Sequence, residues 1–168
     1  VQGSKQVFSD EEDKLGIAEY VAELIRGDNR LYILGPGSTV KVIADRLGIS
    51  KTLLGVDAIY DGELVGRDLN EAEILKLLNR YGRARVVVTP VGGQGFIFGR
   101  GNQQLSPRVL ERIEKEDIIV VATRTKLRSV RHLRVDTGDK EIDRRLKGYM
   151  RVIVGYMEEK LVKVEGPE

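Results

Sequence analysis

Cysteine is absent from this sequence of 168 residues, and His132 is its single histidine. Without cysteine the chain has no disulfide bonds, thiolate zinc sites or cysteine nucleophiles, which fits a reducing compartment. One histidine excludes a multi-histidine metal centre, and a Ser-His-acid triad would depend on His132 alone. Because a lone histidine is more often structural or exposed than catalytic, we do not expect His132 to be a general acid or base.

An excess of charge of one sign is also lacking, because 28 Lys and Arg residues stand against 26 Asp and Glu residues, for a formal net charge of +2. This balance gives no general attraction for nucleic acid or for an anionic membrane. No apolar stretch approaches the roughly 20 residues that span a bilayer, and no signal-peptide pattern begins the chain. We therefore expect a cytoplasmic protein whose partners include neither nucleic acid nor a membrane.

Basic residues are nevertheless clustered at one place in the sequence. Such a run could bind polyphosphate or a nucleotide phosphate, but a run of like charge is more often a solvated face. Aromatic residues make up only 5% of the chain, which argues against nucleic-acid binding here as well. The run consists of Arg124, Lys126, Arg128, Arg131 and Arg134.

The length and the 41% of hydrophobic residues predict a single α/β domain over residues 1–168. Continuous apolar segments alternate with amphipathic helices, and each crossover helix buries one face of the strands that it joins. This order predicts a mostly parallel open sheet with helices on both faces, although the tail over 151–164 is also compatible with an antiparallel hairpin. The predicted strands are 31–34, 53–59, 84–89 and 118–123, with weaker candidates at 133–135 and 151–154.

Capping residues mark the starts of the predicted helices. A further short helix is predicted over about 141–146. The predicted caps are Ser9 with Glu12, Ser38 or Thr39, Asn70 with Glu73, and Ser106 before Pro107.

The first candidate site is the turn Gly35-Pro36-Gly37-Ser38-Thr39, between a predicted strand and a predicted helix. Glycine lets the backbone approach an anion, and the N–H groups and dipole of the following helix favour a phosphate. Ser38 and Thr39 could add hydroxyl hydrogen bonds. The segment lacks the lysine and spacing of a P-loop and the full dinucleotide fingerprint, so a simple turn with a helix cap is the alternative.

The second candidate is the segment 89–104, which contains five glycines between Gly92 and Gly101. Glycine loses more backbone entropy on folding than any other residue, so something must order this segment. A bound ligand would do so, and Arg100 is a planar cation suited to phosphate or carboxylate. A flexible surface loop is the alternative, although Phe96-Ile97-Phe98 indicates that part of the segment packs as a strand.

Acidic residues form the third candidate. Asp57 lies inside a predicted apolar strand, where an uncompensated carboxylate is costly, and Asp136 follows another predicted strand. A carboxylate at a strand end can ligate Mg²⁺, orient a ribose hydroxyl or accept a proton. For Asp61, Asp68 and Asp139 we expect capping or turn formation instead.

Four segments, taken in order, resemble the C-terminal part of the ATP-NAD kinase-like family that includes proteins encoded with acetoin-catabolism genes. The resemblance covers nearly the whole chain. The block Gly-Gly-Gln-Gly-Phe-Ile-Phe-Gly-Arg-Gly-Asn-Gln-Gln over 92–104 is long enough to be specific. The four segments are 32–40, 53–57, 89–104 and 134–139.

The resemblance implies phosphoryl transfer from ATP, or from inorganic polyphosphate, to the ribose 2′-hydroxyl of NAD, usually with Mg²⁺. NAD is then a substrate and the partner is a small-molecule nucleotide. Neither a catalytic base nor a metal ligand is assigned to any residue. The predicted nucleotide- or phosphate-binding residues are Gly35, Gly37, Ser38, Thr39, Asp57, Gly92, Gly93, Gln94, Gly95, Arg100, Gly101, Asn102, Gln103, Gln104 and Asp136.

One family motif is missing, because Gly-Gly-Asp-Gly-Thr occurs nowhere in the sequence. The kinase superfamily carries this motif in an N-terminal domain, and the chain starts at Val1. We therefore expect the C-terminal portion of a longer protein, whose active site is completed by an N-terminal domain, with a homo-oligomer possible. The isolated chain is expected to be catalytically incomplete.

Two other functions compete with the kinase-like hypothesis. The order of strand, Gly-Pro-Gly-Ser-Thr turn and helix also resembles the phosphate loop of sugar-phosphate isomerases and deaminases. A non-catalytic regulatory module, which binds a nucleotide without making or breaking a bond, is the other alternative.

Overall fold

The computed structural model describes residues 2–167, with side chains described from residue 10 onward, and these residues form six α-helices and nine β-strands. A short 3₁₀ turn over Lys115–Asp117 precedes the sixth strand. The helices are α1 (Gln2–Arg26), α2 (Ser38–Arg46), α3 (Glu71–Tyr81), α4 (Pro107–Leu110), α5 (Arg124–Val130) and α6 (Lys140–Leu146). The strands are β1 (Leu31–Leu34), β2 (Asp57–Tyr60), β3 (Glu63–Gly66), β4 (Ala84–Val88), β5 (Phe96–Gly99), β6 (Ile118–Val121), β7 (Leu133–Asp136), β8 (Gly148–Gly155) and β9 (Glu158–Glu165).

The nine described strands form one mixed sheet in the order β3-β2-β1-β4-β6-β8-β9-β7-β5. Neighbouring strands are parallel in five pairs and antiparallel in three, which are β1 with β2, β2 with β3, and β8 with β9. The predicted α/β fold with a mostly parallel sheet is therefore confirmed. The C-terminal hairpin is also present, as β8 and β9.

Successive side chains of the central strands point to opposite faces of the sheet and therefore pack into two separate hydrophobic cores. In β1, Tyr32 and Leu34 pack with α1 and α2, whereas Leu31 and Ile33 belong to a second cluster that contains α3, α4 and α6. Each fully buried side chain of this size contributes about 1.5 to 3 kcal/mol. Helices therefore cover both faces of the sheet, as the sequence predicts.

The predicted strand over 53–59 is wrong in its first half. β2 begins at Asp57 and pairs antiparallel with β1. Residues 51–56 form a loop, in which Lys51 Nζ donates hydrogen bonds of 2.9 Å to the backbone oxygens of Thr52 and Gly55. Leu54, whose apolar side chain favoured the strand, is 74% exposed.

Two of the predicted helix starts are also wrong. The backbone is already helical from Gln2, so Ser9 lies within α1 instead of capping it. Gly37 occupies the cap position of α2, and no side chain within the described residues caps that helix. The caps at Asn70 and Ser106 are confirmed, and the Asn70 cap includes the reciprocal bond from Glu73.

Candidate functional site

Three parallel strands end at the same edge of the sheet. β1, β4 and β6 are neighbours, and their last residues lead directly into the turns at 35–37, 89–92 and 122–123. In open α/β sheets, ligands bind beyond the carboxyl ends of such strands. The first two predicted segments, 35–39 and 89–104, are therefore brought together at the edge where a site is expected.

The wider of two neighbouring cavities at this edge has a volume of about 660 Å³, and we name it the α1 cleft because α1 forms one of its walls. Hydroxyl groups and two lysines dominate its lining. Its polar lining residues include Lys14 of α1, Ser38 and Thr39 of α2, Thr89, Thr125 and Lys126.

The second cavity, of about 250 Å³, lies on the other side of the turn at 89–91, and we name it the glycine cleft. It shares Thr89 and Val91 with the α1 cleft, so the two cavities adjoin. Its lining mixes apolar and polar groups, which suits a ligand with both planar and polar parts. The lining includes Pro36, Leu54, Phe96, Arg100, Gly101, Asn102 and Gln104.

The turn at 35–39 offers fewer backbone N–H groups than the sequence suggests. Gly35 N–H donates to the Val87 oxygen and Gly37 N–H to the Leu53 oxygen, both at 2.9 Å, so both donors are used internally. Ser38 and Thr39 are the first residues of α2, and the first N–H groups of a helix have no intrahelical partner. The donors for an anion are therefore those of Ser38 and Thr39.

The glycines of 92–101 fall into two groups. A Cβ on Gly95 would lie 2.3 Å from the His132 backbone oxygen, and one on Gly99 would lie 1.9 Å from the Asp136 backbone oxygen. These two glycines allow β5 to pack closely beside β7. A Cβ on Gly92, Gly93 or Gly101 would meet nothing within 4 Å. Close approach of a ligand therefore concerns these three positions, while chain packing explains the other two.

Arg100 and Asp136, both predicted site residues, form an ion pair at the mouth of the glycine cleft. Arg100 Nε donates to Asp136 Oδ2 at 3.1 Å, and the guanidinium lies 5.1 Å from the centre of the Phe96 ring. The Arg100 side chain is 62% exposed, so its remaining N–H groups face solvent and the cleft. An incoming anion would add to this pair or compete with Asp136 for the guanidinium.

The predicted amide residues are placed unequally. Asn102 lines the glycine cleft, and its Oδ1 accepts a hydrogen bond of 3.3 Å from Leu105 N–H. Gln104 lines the same cleft, whereas Gln103 lines an adjoining cavity with Asp136. Gln94 is exposed. Asn102 therefore orders the loop, and Gln104 is the glutamine best placed to reach a ligand.

Asp57 is completely buried, and its carboxylate is enclosed by donors from the loops at 51–56 and 67–70. It accepts hydrogen bonds from Thr52 N–H at 2.6 Å, Thr52 Oγ1 at 2.7 Å and Asp68 N–H at 2.9 Å. This geometry anchors the loop 51–56, whose residue Leu54 forms part of the glycine cleft. Asp57 thus supports the wall of the cleft.

Lys51, which the sequence analysis did not single out, is 3% exposed and belongs to the same buried polar cluster. Burial lowers the pKa of Lys51 to about 8, while the charge of Asp57 acts in the opposite direction. Above pH 8 the folded protein releases this proton, whereas the unfolded chain keeps it up to about pH 10.5. Stability should therefore rise with pH between these two values.

The Lys51→Met variant tests this dependence. We expect wild-type protein to gain up to about 3 kcal/mol of unfolding free energy between pH 8 and pH 10.5 relative to the variant, which cannot release a proton at this position. Urea denaturation of both proteins at the two pH values measures the difference. Parallel pH profiles for the two proteins would contradict a buried, titrating Lys51.

The basic run does not act as one surface. Arg124 forms ion pairs with Asp13 and Glu158, and His132 Nδ1 lies 3.0 Å from Glu165 Oε1, outside both clefts. Of the five basic residues of the run, all of which the structure describes, Lys126 alone lines the α1 cleft. The sequence analysis missed α5, which Thr123 caps by accepting from Lys126 N–H, and a threonine cap was the available signal.

Among residues 10–167, no group of three or more His, Asp or Glu side chains is arranged to hold a metal ion. The helices of the described part include none that is long and apolar enough to cross a membrane. A sequence model described as the ATP-NAD kinase C-terminal domain matches residues 27–164. No curated protein and no solved structure matched the chain.

Proposed function

This chain belongs to the ATP-NAD kinase C-terminal domain family, and we propose from this premise that it is the nucleotide-binding part of a phosphotransferase that converts NAD to NADP. The observation that carries the proposal is the pair of adjoining clefts at the carboxyl edge of β1, β4 and β6. Segments 35–39 and 89–104, which are far apart in sequence, both line them.

In the proposed reaction the 2′-hydroxyl oxygen of NAD attacks the terminal phosphorus of ATP or polyphosphate. A new oxygen–phosphorus bond forms, the bond from that phosphorus to its bridging oxygen breaks, ADP or the shortened polyphosphate leaves with the bridging oxygen, and the hydroxyl proton passes to a base. Positioning and neutralisation of phosphate charge supply most of the catalysis in such transfers. The N–H groups of Ser38 and Thr39, Lys126 and Arg100 are the groups of this chain that would bind and orient the anions.

The family's phosphate donors imply Mg²⁺, and the described residues fit an ion that is held mainly by the phosphates. Mg²⁺ bound to a nucleotide keeps several waters and needs only one or two protein carboxylates. Asp10, at the rim of the α1 cleft, is the described carboxylate that could hold it there. When bound, the ion would neutralise phosphate charge.

A non-catalytic nucleotide-binding module is the second candidate. Neither predicted acid is free within the described residues, because Asp57 is enclosed by three donors and Asp136 is paired with Arg100. We propose that an N-terminal domain with the Gly-Gly-Asp-Gly-Thr motif supplies the missing group in a longer protein. Without such a domain, the chain would bind without turnover.

The proposed function is tested with the longer protein and with the isolated chain. NADP formation from NAD and ATP, or from NAD and polyphosphate, by the longer protein supports the kinase. Binding of NAD without turnover in that protein supports the regulatory module. A calorimetric preference of the chain for ribose 5-phosphate over NAD would contradict both and favour the sugar-phosphate alternative.

Replacement of Arg100 tests the contribution of the glycine cleft to NAD binding. We expect Arg100→Ala to weaken NAD binding to the isolated chain by about 1 to 3 kcal/mol, the range for hydrogen bonds to a charged group. Isothermal calorimetry measures the change. Arg151→Ala is the matched control, because Arg151 is 81% exposed and lines neither cleft. Equal affinity of the two variants would place Arg100 outside the binding site.

A further inference from the structure

One end of the sheet has a face that no helix of the described residues covers. On this side of the sheet, α1 and α2 pack on β1, β4 and β6, and α1 reaches β8 at its hairpin end, where Ile153 belongs to the same buried cluster as Ile17 and Val21. Beyond that point the side chains are exposed or half-buried, and we name this surface the open face. It consists of Tyr149 and Arg151 of β8, Glu159, Leu161, Lys163 and Glu165 of β9, Arg134 of β7 and Phe96 of β5.

The strand arrangement makes this exposure unusual. β5 pairs with β7 and β7 with β9 in parallel, and parallel strands are normally buried on both faces. Tyr149 is 58% and Leu161 is 68% exposed. These two side chains are diagonal neighbours on adjacent strands, because Tyr149 pairs with Lys163 and Leu161 with Arg151. An apolar patch of this kind, bordered by charged groups, marks a surface that binds another protein.

A hollow of about 200 Å³ lies on the other side of the same face. Phe96 supplies an apolar wall, and Arg100 and Arg134 supply planar cations, which stack favourably on aromatic rings. The carboxylates of Asp136 and Glu165 also line the hollow and can accept a hydrogen bond. The hollow therefore fits an aromatic side chain with a hydroxyl at its tip.

The hollow and the exposed tyrosine lie on opposite sides of β9. Tyr149 is on β8, whereas β7 and β5 form the hollow, and the strand order is β8-β9-β7-β5. A two-fold axis through the face at β9 exchanges these two sides, so it would bring Tyr149 of each copy over the hollow of the other. Tyrosine and arginine are also the residues that most often dominate the binding energy of an interface.

The charges of the open face favour a partner that carries both signs. Arg151 Nη1 lies 3.8 Å from Glu159 Oε2, and Arg134 Nη1 and Lys163 Nζ lie 3.7 Å and 3.9 Å from carboxylate oxygens of Glu165. Three cations therefore alternate with two carboxylates, which gives a strongly charged partner little attraction. A second copy of this chain presents the same mixture of signs and is electrostatically compatible with it.

We propose that the open face is a dimer interface, at which two copies of this chain stack face to face and insert Tyr149 into each other's hollow. The contact is small, because few side chains of each copy take part, and small interfaces are typical of weak complexes. The dimer should therefore form reversibly as the protein concentration rises. The proposal does not depend on the proposed function.

Sedimentation equilibrium of the 168-residue protein over a range of concentrations tests the proposal. The variants are Tyr149→Ser and Leu161→Lys, and the control is Leu15→Lys, because Leu15 is 65% exposed but lies on α1, outside the open face. We expect the open-face variants to weaken the dimer at least about 100-fold, since each change acts twice, and the control to change it less than about threefold. All three should unfold at the same urea concentration as wild type.

Cross-linking gives a second readout, because the natural chain contains no cysteine. Lys163 lies on β9 directly opposite Tyr149, close to the proposed two-fold axis. A short bismaleimide should therefore join two copies of the Lys163→Cys variant at concentrations where wild type is dimeric. The Leu15→Cys variant should remain monomeric under the same conditions.

Loss of the dimer in both open-face variants, together with cross-linking through Lys163→Cys, supports the proposal. A wild-type protein that stays monomeric at every concentration overturns it, as does equal dimerisation of the open-face variants and the Leu15→Lys control. If the Lys163→Cys thiol is blocked in a longer, monomeric protein, an N-terminal domain covers the face and the proposal is also wrong. None of these measurements involves NAD, so each outcome leaves the proposed function standing.

Discussion

Replacing Asp57 with alanine is expected to destabilise the protein by about 3 to 5 kcal/mol, because each buried donor that loses its charged acceptor costs at least about 1 kcal/mol. The change leaves two backbone N–H groups and the Thr52 hydroxyl without their acceptor. It also removes the negative charge that favours the protonated form of the buried Lys51. Urea denaturation at pH 7 measures the loss.

Two further variants define the origin of this effect. Asp45→Ala removes an exposed carboxylate whose partner is Lys41, and should change stability by less than about 0.5 kcal/mol. Lys51→Met in the Asp57→Ala background should recover part of the loss, because it removes the buried ammonium that Asp57 no longer faces. If the Asp57→Ala variant unfolds at the same urea concentration as wild type but no longer binds NAD, then Asp57 contacts the ligand. That result would contradict the structural role assigned to Asp57.

Gly99→Ala is expected to cost about 2 to 5 kcal/mol, because overpacking costs about 1 to 3 kcal/mol and a left-handed backbone at a non-glycine residue about 1 to 2 kcal/mol. A Cβ at this position would lie 1.9 Å from the Asp136 backbone oxygen, and the residue has a φ of +88°, which alanine rarely adopts. Gly99 is paired with Asp136 in the ladder of β5 and β7, so a shift that relieves the clash would disturb that pairing. Circular dichroism during thermal and urea unfolding measures the effect.

The neighbouring glycines provide matched controls within the same segment. Gly93→Ala should be within about 0.5 kcal/mol of wild type, because a Cβ there meets nothing within 4 Å and no positive φ is required. Gly101→Ala has the same open space but a φ of +100°, and should cost about 1 to 2 kcal/mol. Equal stability of the Gly99 and Gly93 variants would mean that β5 does not pack against β7 as described.

Local sequence patterns predicted the part of the fold that depends on neighbours in the chain. The apolar runs that became β1 and β6 are buried at every position, and β4 is buried at every position except Arg85, so none of the three strands alternates between apolar and polar residues. The same rule failed at 53–56, because Leu53 and Leu54 form an apolar pair that is mostly exposed. The conformation of that loop depends on hydrogen bonds of two buried side chains. Lys51 donates to backbone oxygens of the loop, and Asp57 accepts from Thr52. No local sequence pattern reveals these bonds.

The candidate site shows the same division. The glycine-dense segment was recognised from composition, but the pairing of Arg100 with Asp136 joins residues 36 positions apart. That pairing follows from the position of β5 beside β7, which the order of elements does not predict. Lys14 is a comparable case, since nothing in its sequence surroundings indicates that α1 closes a cleft formed by α2 and α5.

The proposal that a nucleotide binds at the carboxyl edge of β1, β4 and β6 is tested most directly by backbone amide NMR of the ¹⁵N-labelled chain during titration with NAD. We predict that the largest shift changes occur at Ser38, Thr39, Gly92, Gly93 and Gly101. Saturable shifts confined to the opposite edge, around Asp117 with Arg30 and Arg83, or no saturable shifts at all, would contradict the proposed site.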